Sequence, residues 1–272
     1  MKDIGAQFRD LHRPGDPFIL ANAWDIGSAR MLVALGAEAI ATSSSAHAFT
    51  LGRPDMGHVS RDEALSHAQD LVAAVNVPVS GDFENGFGED PETVAQTVRL
   101  AAEVGLAGIS IEDTALPAHT PYDRELAVER IAAAVGAARA LPGDFVLVAR
   151  ADGVMNGQYG MEEALARVTS FENAGADCVY VPLPPTMEDL GRVCSAVFCP
   201  VNALAAGSFA QYRKADFARL GVARISLGGA LARVTHGVIL DAGRAMFGAG
   251  DFSLLGQGAS GDEIDGLLGG GD

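Results

Sequence analysis

A regular alternation of short β-rich runs with longer helical stretches is the feature that most constrains the fold of this chain. Eight β-rich runs occur, at residues 18–23, 39–44, 77–84, 108–113, 145–152, 178–183, 200–204 and 224–229. The stretches between them carry apolar residues at helical spacing, as in 61–74, 91–104, 124–140, 161–174, 187–197 and 209–220. Eight βα units at intervals of roughly 20 to 40 residues predict a closed (β/α)8 barrel, the TIM barrel. A doubly wound open sheet is the alternative, but it usually begins on a GxGxxG turn, which is absent after residue 23.

The domain organisation follows from the lack of a linker. With 272 residues, 49% of them hydrophobic, the chain can bury one large core. No composition break occurs before residue 247, so we predict a single barrel domain over 1–247. Residues 248–272 are Gly-rich and acidic and are expected to form a C-terminal tail.

The charge balance restricts the partners. Thirty-five acidic residues against 19 basic ones give a formal charge of -16, which repels nucleic acid and anionic lipid. We therefore expect small molecules, metal ions or further copies of the chain as partners, and no nucleic acid or membrane. The three Cys residues form no CxxC pair, and no apolar run has the length of a signal peptide core or a membrane span. These features predict a cytoplasmic protein.

Charged side chains follow three consecutive strand-like runs. Asp82 and Glu84 end the third run, Glu112 ends the fourth, and Arg150 ends the fifth. Alternation along each strand puts these side chains on the polar face, which points into the barrel, while the apolar face points to the helices. The carboxyl ends of parallel strands meet at one edge, where barrels place their sites, so three carboxylates and one guanidinium are expected to gather there.

The carboxylates predict a metal site. Asp82, Glu84 and Glu112, with Asp55 from the loop that follows the second run, supply hard oxygen ligands without His or Cys, which suits Mg²⁺, or Mn²⁺, better than zinc. So many like charges in one pocket are costly without a cation. The alternative is that they are solvated loop carboxylates and helix caps.

Arg150 has two interpretations. It can pair with a substrate carboxylate or with an oxyanion that develops during reaction. It can equally form a structural salt bridge to Asp152 or Glu112.

Other polar residues at strand ends are candidates for substrate binding. Ser43 and Ser44 end the second run and could present hydroxyl and backbone N–H groups to a carboxylate. Asn202, in the seventh run, could bind substrate or brace a loop. Trp24 and Asp25 end the first run, where a core aromatic and a helix N-cap are the alternatives.

In order along the chain, several segments resemble the isocitrate lyase/phosphoenolpyruvate mutase superfamily. They are NAWDIGSAR (22–30), TSSS (42–45), RPDMGH (53–58), GDFENGFG (81–88), GISIED (108–113) and VARAD (148–152). The resemblance implies a (β/α)8 barrel that binds Mg²⁺ and a small 2-oxo carboxylate. It also implies a homo-oligomer, either a dimer or a tetramer built from two dimers, in which the last barrel helix is exchanged between subunits.

The resemblance also implies roles for individual residues. Asp82 would bind the metal directly, and Asp55, Glu84 and Glu112 would act through metal-bound waters. The substrate would be bound by Trp24, Ser43, Ser44, Asp82, Arg150 and Asn202, with Asp25 also lining the pocket. Catalytic roles fall to Asp55, Glu112 and Arg150, in cleavage or formation of a C–C or P–C bond through an enolate that the metal stabilises.

The chain departs from the family pattern in two places. Glu84 stands where the family usually has Asp. The loop TALPAHTPYDRE (114–125) has no Cys or Lys, whereas the lyases carry a KKCGH-like loop with a catalytic Cys, and the sixth run ends in VPLPP (181–185) without the usual Glu or His. These departures disfavour isocitrate lyase and methylisocitrate lyase activities.

The predicted function is therefore a Mg²⁺-dependent lyase or decarboxylase for pyruvate, oxaloacetate, 2-oxoglutarate or a similar 2-oxo acid. The alternatives are a 2-oxo acid binding protein without turnover, and a hydrolase or mutase that acts on the P–C bond of a phosphonopyruvate-type substrate.

Overall fold

Eight parallel strands close into one barrel in the computed structural model, which describes residues 3–269. The barrel strands are β1 (Phe18–Asn22), β2 (Ile40–Ala41), β3 (Val79–Asp82), β4 (Gly108–Glu112), β7 (Val146–Arg150), β8 (Cys178–Tyr180), β9 (Val201–Leu204) and β10 (Arg224–Ser226). A separate antiparallel hairpin, β5 (Thr114–Ala115) and β6 (Thr120–Pro121), follows β4. The strand order β1-β10-β9-β8-β7-β4-β3-β2 confirms the predicted (β/α)8 barrel.

Helices connect and flank the strands. They are α1 (Ile4–Leu11), α2 (Ile26–Ala34), α3 (Ser44–Thr50), α4 (Arg61–Ala74), α5 (Pro91–Glu103), α6 (Arg124–Arg139), α7 (Met161–Asn173), α8 (Met187–Ala196), α9 (Lys214–Arg219), α10 (Ala230–Ala249) and α11 (Gly261–Gly269). Short 3₁₀ helices span Gly207–Gln211 and Ser253–Gln257. Local chemistry fixes several starts, since Ser60 and Glu63 form a capping box and Asp90 caps a helix that opens on Pro91.

All eight barrel strands are shorter than the predicted runs, and one helical stretch is divided. The second β-rich run keeps only two strand residues, because Ser43 caps α3 and its chain turns helical at once. The stretch 209–220 divides into a 3₁₀ helix and α9. The division at residue 247 stays a prediction, but it falls inside α10, and the tail folds into α11, which packs against α2.

The two faces of the strands differ as alternation predicts. Ser80, Asp82, Ser110, Glu112 and Ser226 line the interior cavity. Val79, Ile109, Ile111 and Ile225 belong instead to the hydrophobic core between strands and helices. The interior is therefore polar and partly hollow near the carboxyl ends of the strands, whereas the wall is held by apolar packing.

Helix α1 closes the opposite end of the barrel. Phe8 is fully buried and packs edge-to-face on Phe18 at a centroid distance of 6.0 Å. Arg9 anchors the helix through ion pairs of 2.6 Å to Asp144 and 2.7 Å to Asp177. The amino end of the barrel is thus sealed by aromatic packing with charges at its rim.

Helix α10 exposes apolar side chains around most of its circumference, and Val234, Val238, Ile239 and Leu240 are together called the α10 face. Each of these side chains is 55–66% exposed. Ile19 on the outer side of β1 is also 48% exposed, whereas the outward Ile109 of β4 is fully buried. The barrel wall at β1 therefore lacks the cover that the other strands have. No helix within residues 3–269 is long and apolar enough to span a bilayer.

Candidate active site

A cavity of about 680 Å³ opens at the carboxyl ends of the strands and continues into the barrel. Seven of the ten candidate site residues from the sequence line it, namely Ser43, Ser44, Asp55, Asp82, Glu84, Glu112 and Arg150. Strands β3, β4 and β7 bring the charged side chains together because Asp82 pairs in register with Ser110, and Glu112 with Arg150. The position agrees with the usual location of active sites in (β/α)8 barrels.

Arg150 is the centre of the charged cluster. Its Nη1 lies 2.8 Å from an Asp82 oxygen and 3.1 Å from a Glu112 oxygen, and its Nη2 lies 2.7 Å from Asp152. The side chain is only 12% exposed, and its guanidinium lies over the Tyr180 ring at 5.1 Å. Burial alone would lower its pKa, but the three carboxylates outweigh burial and hold the pKa well above the ordinary value. The salt bridge considered from sequence is therefore present, and it includes Asp82 as well.

Asp82 is held in one orientation by neutral donors. Its Oδ2 accepts hydrogen bonds of 2.9 Å from both the backbone N–H and the hydroxyl of Ser44. Its own backbone N–H donates to the Thr42 hydroxyl at 2.8 Å. Its Oδ1 contacts Arg150, so a cation that binds Asp82 has to compete with one of these partners.

Burial makes the charged forms of the neighbouring carboxyl groups unfavourable. Burial raises the pKa of Glu84 to about 7, with the charges of Asp82 and Asp55 adding to the effect and the 2.9 Å hydrogen bond from the Gly57 N–H opposing it. Burial also raises the pKa of Asp55, and it raises that of Glu112 well above its ordinary value against the opposing charge of Arg150. Burial therefore favours the neutral forms of these carboxyl groups, and a bound cation would favour their charged forms.

The backbone at Glu84 is unusual as well. Glu84 adopts φ 46°, in the left-handed region that non-glycine residues rarely occupy. Strained backbone of this kind persists where the surroundings fix it, and it concentrates at functional sites.

The donor set fits a hard divalent cation. The carboxyl groups offer only oxygen, which Mg²⁺ and Mn²⁺ prefer. Within residues 3–269, no three His, Cys, Asp or Glu side chains converge closely enough to hold a metal ion together. An ion here would accordingly take few direct protein ligands and complete its shell with water or substrate oxygens, as Mg²⁺ commonly does.

Two residues predicted to bind substrate lie elsewhere. Trp24 faces a separate surface depression with Asp25, because its carbonyl contacts His67 Nε2 at 2.9 Å and Asp25 caps α2. Asn202 is fully buried below the cavity, where its amide donates to Ser226 and accepts from Arg224. Neither residue lines the cavity, and the hydrogen bonds of Asn202 match the bracing alternative. The substrate-binding roles of both residues stay predictions.

The two serines are already engaged by the protein. The Ser43 hydroxyl accepts from the Ala46 N–H at 3.3 Å as the cap of α3, and it lies 3.1 Å from the Ser45 hydroxyl. Ser44 holds Asp82 as described above. Both line the cavity, but their present hydrogen bonds position the site.

Asp152 was predicted only as a structural salt-bridge partner, and three further residues that line the cavity were not predicted from the sequence. Asp152 follows Arg150 by two positions, on the same face of the chain, and binds it through Nε and Nη2 at 3.1 Å and 2.7 Å. Tyr180, Arg224 and Arg233 also line the cavity. Inward alternation from Ser226 could have indicated Arg224, whereas Arg233 lies on α10 beyond any strand.

The loop after β4 forms the side of the cavity mouth. The hairpin β5–β6 lies in this loop, and Leu116 between its strands lines the cavity. Residues 114–125 contain neither Cys nor Lys. This wall therefore contributes an apolar surface to the site.

Comparison with known proteins identifies the family. The sequence profile of phosphoenolpyruvate phosphomutase matches residues 8–247. The crystal structure of a candidate lyase or mutase from Burkholderia cenocepacia J2315 is 44% identical with a TM-score of 0.93, covering 98% of this chain and 96% of that one. Oxaloacetate decarboxylase of Paraburkholderia xenovorans is 32% identical over 68% of this chain and 63% of its own. 2,3-Dimethylmalate lyase of Eubacterium barkeri is 30% identical over 80% of this chain and 78% of its own.

The chain belongs to the phosphoenolpyruvate phosphomutase family, within the isocitrate lyase/phosphoenolpyruvate mutase superfamily. Its relatives are lyases and decarboxylases of small carboxylates, and it is an enzyme of the same C–C or P–C bond chemistry.

Proposed function

We propose that this chain is a divalent-metal-dependent lyase or decarboxylase that cleaves a C–C bond beside the carbonyl of a small 2-oxo carboxylate. The observation that carries the proposal is the cluster of Asp55, Asp82, Glu84 and Glu112 around Arg150 at the mouth of an open barrel cavity. The carboxylates favour a bound cation, and Arg150 favours a bound anion beside it. A 2-oxo acid bound to a metal ion supplies both, because its carboxylate is the anion.

Asp82 is the residue proposed to bind Mg²⁺ or Mn²⁺ directly, with Asp55, Glu84 and Glu112 acting through water. A cation bound there would polarise the substrate carbonyl as a Lewis acid. Ser44 holds the Asp82 carboxylate and Thr42 accepts a hydrogen bond from the Asp82 backbone N–H, so the carboxylate is oriented before any ligand arrives.

Arg150 is proposed to take the substrate carboxylate. Asp152 occupies Nε and Nη2, which orients the guanidinium and leaves Nη1 directed at Asp82 and Glu112. Nη1 would be available to an incoming anion if a bound cation neutralised those carboxylates. Asp152 thus acts as a positioning residue.

A panel of 2-oxo acids tests the proposal. Pyruvate, oxaloacetate, 2-oxoglutarate and phosphonopyruvate are assayed with Mg²⁺, with Mn²⁺ and with EDTA. We expect metal-dependent C–C cleavage of at least one of the first three, and a loss of at least about 10³-fold in Asp82→Ala because its charge anchors the site. Asp16→Ala, which removes an exposed carboxylate far from the cavity, should keep full activity.

The outcomes separate the alternatives. Turnover that persists in EDTA or in Asp82→Ala would overturn the metal-dependent mechanism. Conversion of phosphonopyruvate alone would favour P–C bond chemistry, for which the match to the phosphomutase profile is the supporting observation. Ligand binding by calorimetry with no product from any compound would favour a binding protein.

We also propose that the chain forms a homo-oligomer through the α10 face. Its side chains and Ile19 leave apolar surface on a helix and on a barrel wall, and exchange of α10 between subunits would cover both. Light scattering should give a dimer or a tetramer, and Val238→Asp should shift the mass towards the monomer. Phe198→Asp, at a fully exposed residue outside this face, is the matched control. A monomeric wild-type chain at micromolar concentration would contradict the proposal.

A further inference from the structure

Arg224 places a positive charge inside the barrel, well below the acidic mouth. It is the first residue of β10, only 3% exposed, and it pairs in register with Asn202. Its Nε donates to the Asn202 side-chain oxygen at 2.9 Å. Its Nη1 is buried and has no hydrogen-bond partner among residues 3–269. Nε is therefore anchored, whereas Nη1 is unsatisfied.

The titratable groups around Arg224 do not neutralise it. Burial raises the pKa of the Cys178 thiol to about 11, so the thiol stays protonated at neutral pH. Burial likewise raises the pKa of the Tyr180 phenol. Burial lowers the pKa of His12 to about 3, which leaves a neutral imidazole. The carboxylate of Asp82 is already bonded to Arg150 and Ser44.

An uncompensated buried charge is destabilising unless a counter-charge reaches it. The cavity offers the route, because Arg224 lines it together with the hydroxyl-bearing Ser80, Ser110, Tyr180 and Ser226. Along the register, Arg150 at the end of β7, Tyr180, Asn202 and Arg224 at the start of β10 form one row across four strands. The row leads from the mouth to the interior, so the cavity is acidic at its mouth and cationic with neutral donors at its floor.

We propose that this floor is a second anion subsite, at Arg224 and the hydroxyl groups beside it, and that it binds a small carboxylate. A carboxylate oxygen is a charge-assisted acceptor for the unpartnered Nη1, and nearby hydroxyl groups can donate to the second carboxylate oxygen. The carboxylate can be a free monocarboxylate or the second carboxylate of a dicarboxylic substrate. The second source rests on the proposed function, and it would make the enzyme selective for 2-oxo dicarboxylates.

Formate is the probe for the free-anion source, with thermal unfolding of the metal-free protein in EDTA as the readout. Wild-type protein should show a rise in Tm that saturates with formate concentration, because a ligand that binds only the native state stabilises it. Arg224→Met should lose that rise, and it should be at least as stable as wild type without formate because it removes a buried unpaired charge. Arg224→Gln keeps a donor for Asn202 without the charge and should lose the rise as well. Arg99→Met, at an exposed arginine, should keep it.

Calorimetry with oxaloacetate and pyruvate in the presence of Mg²⁺ tests the substrate source. If the floor takes the second carboxylate, Arg224→Met should weaken oxaloacetate binding at least about tenfold and leave pyruvate binding nearly unchanged. A response to formate alone supports the free-anion source, and selective loss of oxaloacetate binding supports the substrate source. The proposal of a second subsite would be overturned if formate raised the Tm of wild type and of Arg224→Met equally and both proteins bound oxaloacetate with equal affinity. The formate assay needs no metal or turnover, so it is independent of the proposed reaction.

Discussion

The two ends of the barrel are built on opposite principles. At the amino end, Phe8, His12 and Phe18 pack edge-to-face at centroid distances of 4.8–6.0 Å, and Arg9 fixes the covering helix with ion pairs. At the carboxyl end, an open cavity of about 680 Å³ gathers carboxylates whose pKa values are raised by burial. The amino end is stabilised by aromatic packing, whereas the carboxyl end contains buried carboxyl groups that are electrostatically unfavourable.

The difference shows where stability and chemistry are located. Apolar contacts at the closed end stabilise the fold without reaching the cavity mouth. The crowded carboxyl groups at the open end destabilise the metal-free chain but prepare it for a cation. Substitutions at the closed end should therefore change stability alone, and substitutions at the open end should affect ligand binding first.

The largest effect on stability is expected from Phe8→Ala at the closed end. Phe8 is fully buried, so its truncation leaves a cavity and should cost about 4 kcal/mol of unfolding free energy in urea denaturation. Activity per folded molecule should stay unchanged. Phe198→Ala, at a fully exposed ring, should shift stability by less than about 0.5 kcal/mol. Equal effects of the two variants would mean that α1 does not seal the barrel.

A smaller effect concerns pH at the same end. Burial lowers the pKa of His12 from 6.5 to about 3, so below pH 6.5 the unfolded chain binds a proton that the folded chain refuses. The free energy of unfolding is therefore highest above pH 6.5, and it decreases as the pH falls from 6.5 towards 3. At pH 5 the loss should reach about 2 kcal/mol.

His12→Asn isolates this contribution. Asn can replace the Nδ1 contact to the Phe8 carbonyl, which is 2.8 Å long, and it takes up no proton. Urea unfolding at pH 7 and pH 5, at one protein concentration, should show a smaller pH dependence for His12→Asn than for wild type. Parallel stability curves would show that His12 is not protected from protonation by the fold.

The smallest effect, of opposite sign, is expected at the open end. Glu84→Gln keeps an acceptor for the Gly57 N–H and removes a charge buried among like charges. The metal-free protein should gain about 1 kcal/mol at pH 8, while Mg²⁺ binding weakens. Thermal unfolding in EDTA and a Mg²⁺ titration measure the two effects, with the exposed Glu129→Gln as control. If metal-free Glu84→Gln had a lower Tm than metal-free wild type, the carboxyl group of Glu84 would not be destabilising, and the proposed difference between the two ends would be wrong.

The sequence carried much of the site because its signals are local. Alternation within each strand put Asp82, Glu112 and Arg150 on the inner face, and the parallel strand ends brought them together. The count of eight β-rich runs, which is also read from local patterns, predicted the (β/α)8 barrel. Trp24 and Asn202 could not be placed so well, because their surroundings are set by His67 in α4 and by Arg224 in the next strand, 22 residues along the chain.

The amino-acid sequence by itself therefore determined the eightfold βα repeat, the polar interior and the acidic strand ends, since each follows from periods of two and 3.6 residues along the chain. Tertiary structure alone decided that Arg150 is shared among three carboxylates, that α1 plugs the amino end, and that Arg224 lies in the interior with one nitrogen unpaired. These outcomes depend on how strands are tilted and staggered around the barrel, which brings side chains distant in sequence into contact.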